Sequence, residues 1–73
     1  MAKLPVISGK KAIEAFKQAG WTTDRQKGSH VVLTKPGYRL ILTVPLHDEL
    51  DRGTLRALIR ASGMSVDEFC ELL

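Results

Sequence analysis

The sequence predicts an α+β domain with helices packed on one face of a three-stranded antiparallel sheet. Three observations point there. Apolar residues recur at helical spacing near both ends of the chain, β-prone runs fill the middle, and turn residues separate those runs at short intervals. The order reads α-β-β-β-α-α. At 73 residues the expectation is one domain, 1–73. A chain of that size buries only about 60–65% of its unfolded surface, so it has one thin core.

The first helix is expected over Ser8–Ala19. Ser8 is the N-cap after the extended Leu4-Pro5-Val6-Ile7, and Ala12, Ile13, Phe16 and Ala19 form the apolar stripe. Gly20 ends the helix. Trp21–Gln26 reads as a strand, Lys27-Gly28-Ser29 as a turn and His30–Lys35 as a second strand. Lys35-Pro36-Gly37-Tyr38 has the residues of a type II turn. Arg39–Val44 is then the third strand, ended by Pro45. Strand parity assigns Leu40, Leu42, Val44, Val31 and Leu33 to the core. His30, Val32, Thr34, Arg39, Ile41 and Thr43 fall on an open face. Val32 and Ile41 there read either as a partner surface or as scattered apolar side chains.

Leu46–Leu50 reads as a polar connection. A second helix follows over Asp51–Ser62, capped by Asp51, with Leu55, Leu58 and Ile59 inward and Gly63 after it. Ser65 and Glu68 make a capping box for a short third helix, with Met64 and Phe69 at the staple positions. Phe69, Leu72 and Leu73 are expected to close over the core.

Composition narrows the function classes. With 44% hydrophobic and 26% charged residues, the chain is ordinary for a globular protein. Apolar runs such as Leu40–Leu42 are far short of the roughly 20 residues of a membrane span. The segment Met1–Pro5 lacks the apolar stretch of a signal peptide. One cysteine, Cys70, suits a reducing cytoplasm and allows no internal disulfide. No nucleotide-cofactor motif is present, and none is expected to bind. Residues 1–47 carry eight Lys/Arg against two Asp/Glu, and residues 48–73 carry three against six. The basic part points to an anionic partner, with nucleic acid foremost.

His30 is the first candidate for chemistry. It follows Gly28-Ser29 and is flanked by Arg25 and Lys27. Histidine moves protons near neutral pH, and cations beside it can hold a phosphodiester. RNA carries its own nucleophile, the 2′-hydroxyl, so strand cleavage needs a proton acceptor, a proton donor and cations, and no metal. His47 is either a second acid/base or a loop residue. His47, Asp48, Glu49 and Asp51 contain ligand types for a divalent ion, but Asp51 is wanted as an N-cap, so the expected metal site is none. Arg52, Arg56 and Arg60 form one helical stripe, read as a phosphate grip, a surface for an acidic partner or a solvated face. Tyr38 is the better base-stacking candidate, since Trp21 suits the helix–strand corner. Cys70 has no activating neighbour.

The chain resembles the HicA (YcfA-like) family of toxin ribonucleases. The resemblance rests on Leu4-Pro5-Val6-Ile7-Ser8-Gly9, Ala19-Gly20-Trp21, Arg25-Gln26-Lys27-Gly28-Ser29-His30 and Thr43-Val44-Pro45-Leu46-His47. It continues through Gly53-Thr54-Leu55-Arg56-Ala57-Leu58-Ile59-Arg60 and Ala61–Phe69. It implies a double-stranded-RNA-binding-domain-like fold and cleavage of mRNA, which stops translation. It implies a HicB-type antitoxin as partner and His30 as the catalytic histidine that the antitoxin covers. On this expectation Arg25, Lys27 and Lys35 hold the phosphate, and Ser29 positions the turn or the phosphate. The competing reading is a non-catalytic RNA- or antitoxin-binding module. A double-stranded-RNA binder presents lysines at the start of its last helix. The Asp51-Arg52-Gly53-Thr54 start here does not fit that mode.

Overall fold

The computed structural model describes residues 3–73. Helix α1 spans Gly9–Gln18, strands β1, β2 and β3 span Thr22–Lys27, His30–Thr34 and Leu42–Pro45, and helices α2 and α3 span Arg52–Ala61 and Val66–Cys70. The sheet order is β1-β2-β3 and both pairings are antiparallel. The α-β-β-β-α order and the placement of the helices on one sheet face agree with the expected fold class. Among the described residues no helix is long and apolar enough to cross a membrane.

Local chemistry sets the helix ends. The Ser8 side chain accepts from the Lys11 N–H at 3.1 Å. The α1 C-terminus closes with Trp21 N–H donating to the Phe16 carbonyl at 3.1 Å and Gly20 N–H to that of Lys17 at 3.0 Å, the paired bonds of a Schellman motif. Asp51 Oδ2 accepts from the Gly53 and Thr54 N–H groups at 3.0 and 3.3 Å. At the end of α2 the buried Ser62 hydroxyl acts as a relay. It donates to the Ile59 carbonyl at 2.6 Å and accepts from the Met64 N–H at 3.3 Å, joining two groups that bond directly at the corresponding place in α1. The Ser65–Glu68 capping box forms as expected.

Val31, Leu33, Leu42 and Val44 face the helices and are buried with Phe16, Leu55, Ile59 and Phe69. Phe16 and Phe69 meet with ring centroids 4.9 Å apart, so α3 is held against α1 through its one buried side chain.

Four expectations need correction. Leu40 is 60% exposed, because the third strand begins at Leu42 rather than Arg39. The turn closes as predicted, Tyr38 N–H to Lys35 carbonyl at 3.1 Å. The Tyr38 ring then packs on Trp21 at 5.4 Å, and pairing with β2 starts only at Leu33–Leu42. Val32 lies on the open face yet is buried, since Arg25 and Thr43 flank it across the strands. Val32 and Ile41 therefore form no exposed apolar pair. Leu50, assigned to a polar connection, is buried in the core, and its N–H donates to the Ile7 carbonyl at 2.8 Å. Leu73 is exposed, while half-buried Leu72 accepts from Gln18 Nε2 at 2.9 Å.

Gly9, in the first turn of α1, is buried and lies against the end of β3, its N–H donating to the His47 carbonyl at 2.9 Å. A Cβ there would overlap the Pro45 carbonyl oxygen. Gly9→Ala is expected to cost about 2–3 kcal/mol, as overpacking against backbone does. That is a large part of the roughly 4–11 kcal/mol available to a domain of this size. The midpoint of urea unfolding measures it, and an unchanged midpoint would rule the contact out as a constraint.

Candidate functional site

A two-residue turn, Gly28-Ser29, joins β1 to β2. Gly28 has φ +56° and no other residue of the turn has positive φ, the pattern of a II′ hairpin with glycine in its first central position. Register then opposes Lys27 to His30, Gln26 to Val31 and Arg25 to Val32. Asp24 has no partner on β2, because the register shifts between Thr23 and Arg25. This bulge inserts one residue and exchanges the faces of everything beyond it. It turns Arg25 and Lys27 to the side of His30.

The open face therefore carries His30 with Lys27 directly opposite and Arg25 on the next row. Directly opposed Cβ atoms lie about 4.5–5.5 Å apart and diagonal neighbours about 7–8 Å. All three side chains are exposed. Arg25 makes a 3.6 Å ion pair with Asp24 in which both side chains are solvated, so the pair is weak and leaves the guanidinium available. Ser29 is exposed in the turn, and its carbonyl accepts from the Leu46 N–H at 2.7 Å. These neighbours can bind an anion and put a titratable ring next to it.

His47 sits at the same end of the sheet but opens on a different surface. Its loop is tied to Ser29 through Leu46 and to Gly9 through its own carbonyl. The side chain lines a cleft with Ser8, Lys10, Gln26, Val31, Leu46 and Asp48. Gln26 and Val31 belong to the helix-side face, opposite His30. Lys10 and Gln26 were not connected with His47 by the sequence reading. Register places Gln26 there, and the Gly9–His47 backbone bond brings the start of α1 with Lys10 alongside.

Lys35 stands apart from this group. It follows the other end of β2, five residues from His30, about 16 Å along the strand. Its amine donates to the Ala19 carbonyl at 2.8 Å and lies 4.9 Å from the centre of the Tyr38 ring. Tyr38 is half exposed and packs on buried Trp21, whose indole N–H has no acceptor among the described residues. Arg52, Arg56 and Arg60 are exposed on α2, away from the His30 face. Asp51 is held as an N-cap, and the described residues contain no group of three His, Cys, Asp or Glu placed to hold one metal ion.

Comparison with known proteins gives matches of two kinds. The family model described as the HicA toxin of bacterial toxin-antitoxin matches residues 9–64. A chain from the solved toxin–antitoxin complex of Streptococcus pneumoniae is 32% identical, with a TM-score of 0.69 over 80% of this chain and 98% of that one. None of the curated proteins searched matches this chain.

The Lys35 contacts give a direct stability test. Lys35→Met keeps the alkyl stem but removes the bond to Ala19 and the charge over Tyr38. It is expected to cost about 1–1.5 kcal/mol, read as a lower urea midpoint with an unchanged slope.

Proposed function

The chain belongs to the HicA toxin family of bacterial toxin–antitoxin systems, and on that premise we propose that it is a metal-independent endoribonuclease that cleaves mRNA through His30. The observation that carries the reading is the exposed row in which register opposes Lys27 to His30, with Arg25 beside it. The family match supplies a toxin with an antitoxin partner; mRNA cleavage through His30 is what the resemblance to that family implies, and the chemistry of these side chains supports it.

In the proposed reaction the His30 imidazole accepts the proton of a ribose 2′-hydroxyl. The oxygen attacks the adjacent phosphorus, and the bond from phosphorus to the 5′-oxygen breaks. That oxygen takes a proton from the Lys27 ammonium, and solvent returns both groups to their starting states. The products are a 2′,3′-cyclic phosphate, or the 3′-phosphate it hydrolyses to, and a 5′-hydroxyl. Arg25 and Lys27 hold the phosphate and stabilise charge as it develops, while the Ser29 turn sets their separation from His30. Lys35, with its amine engaged at Ala19, contributes stability to this arrangement. His47 opens on the other surface, which favours a substrate-positioning role over the second proton transfer. A HicB-type antitoxin neutralises the toxin by covering the His30 face, where Arg25 and Lys27 supply charge.

His30→Ala is expected to lower cleavage by a factor of about 10² to 10⁴ in the presence of chelator and to leave RNA affinity within a factor of two or so. Equal cleavage by wild type and variant refutes the assignment. No cleavage by folded, antitoxin-free wild type moves the reading to a binding module. Arg25→Ala and Lys27→Ala should each reduce the slope of log affinity against log salt by about 0.7, the single-strand value per phosphate contact. An unchanged slope in both removes them from the RNA-binding surface.

A further inference from the structure

Helix α2 presents a row of like charges. Arg52, Arg56 and Arg60 recur every four residues and all three are exposed, so each stands about 6 Å along the axis from the next. Like charges at this spacing weaken a helix. Arg52 also lies in the first turn, where the macrodipole disfavours a cation, and that turn holds no acidic residue. No ion pair joins any of the three to a described residue. The Asp51 carboxylate is held at the Gly53 and Thr54 N–H groups, and Asp67 borders the row on its α3 side. On the other flank Arg56 and Arg60 line a cleft of about 470 Å³ with Ala57, Ala61 and Leu40, and no carboxylate lines it. Leu40 is 60% exposed there.

We propose that this cleft and the arginine row dock an acidic segment of the antitoxin, one that sets carboxylates against Arg56 and Arg60 and an apolar side chain between Leu40 and Ala57. The inference rests on membership of a toxin–antitoxin family and adds a second contact to the one at the His30 face. The two surfaces are separate, since α2 packs on the helix side of the sheet and His30 lies on the open side. It does not depend on whether the chain cleaves RNA.

Charge, lining and size select this occupant. Unrelieved repulsion along the row is removed by an anionic partner. An RNA strand is held by cations together with aromatic platforms for its bases, whereas the cleft offers aliphatic side chains and no ring. An apolar centre edged by arginine is the make-up of a protein interface. The ten residues of α2 give a face of about 15 by 10 Å, far below the roughly 800 Å² per partner of a stable interface. The occupant therefore needs a further contact on the same molecule. An antitoxin seated on the His30 face has one, and joining the two contacts raises the affinity of both.

The test follows binding. The His30→Ala toxin is titrated with the purified antitoxin while the NMR signals of the Arg52, Arg56 and Arg60 Nε–H groups and the Leu40 methyls are observed. These signals are expected to shift. The Arg56→Glu/Arg60→Glu variant sets like charges together, and its antitoxin affinity is expected to fall at least about tenfold. Leu40→Ala should lower it about threefold or more. Affinities equal to wild type in both variants, or an arginine row whose signals do not move, overturn the proposal. A loss of single-stranded RNA affinity in the charge-reversed variant as large as its loss of antitoxin affinity also overturns it and makes the row a phosphate grip. Failure of the earlier readings appears elsewhere. An antitoxin that leaves the Arg25 and Lys27 signals unmoved does not cover the His30 face, and a wild type without His30-dependent cleavage is not the proposed ribonuclease.

Discussion

Three backbone hydrogen bonds gather where the end of β3 passes the start of α1. Gly9 donates to His47, Leu46 donates to Ser29, and Leu50 donates to Ile7. Together they lock the N-terminal segment, the hairpin turn and the β3–α2 loop into one corner. The crossing is so close that position 9 has no room for a Cβ beside the Pro45 carbonyl. A helix start ordinarily tolerates most residues, but here the approach of a neighbouring backbone restricts it to glycine. Everything argued about His30 and His47 depends on this corner. It fixes which end of the sheet the His47 loop reaches.

The bulge at Asp24 is the second determinant. Strand side chains alternate, so one inserted residue reassigns a whole segment to the other face. Through it, two cations from the edge strand join a histidine from the central strand. None of the three is buried, which keeps their desolvation cost low and leaves them open to a polyanion. On the open face Val32 is covered by flanking side chains, and Ile41, just before β3, is half exposed. Around His30 the surface therefore offers chiefly charge and hydrogen bonding.

The opposite end of the sheet is organised for stability. Lys35, Tyr38 and Trp21 interlock there, with the lysine amine tied to the end of α1. Tyr38 takes the chain out of the ladder after the Pro36-Gly37 turn, which leaves β3 only four residues long. The same residue types, a lysine and two aromatics, would serve nucleic-acid binding if they stood free. Here they pack against one another, with the lysine amine tied to the Ala19 carbonyl.

Much of the fold was legible in the sequence, because its signals are local. Ser8, Asp51 and Ser65 cap helices by bonds within three residues. Gly28 and Pro36-Gly37 mark turns through their own backbone preferences. The stripe of Ala12, Ile13 and Phe16, and the alternation of Val31 with Leu33, show which faces turn inward. His30 with Arg25 and Lys27 was legible as a group because the three lie within six residues. Where the third strand begins was not legible, since a long-range Tyr38–Trp21 contact decides it. Nor was the role of Lys35, whose bond to Ala19 spans the helix–sheet corner. The burial of Val32 and Leu50, the facing of Arg25 and Lys27, and the separation of His47 from His30 onto two surfaces depend on register and on backbone crossings between distant segments. The sequence by itself determined the elements, their caps and the residues worth watching. Only the tertiary structure decided which of those residues share a surface, because a one-residue shift in register moves a side chain to the other face without changing any local preference.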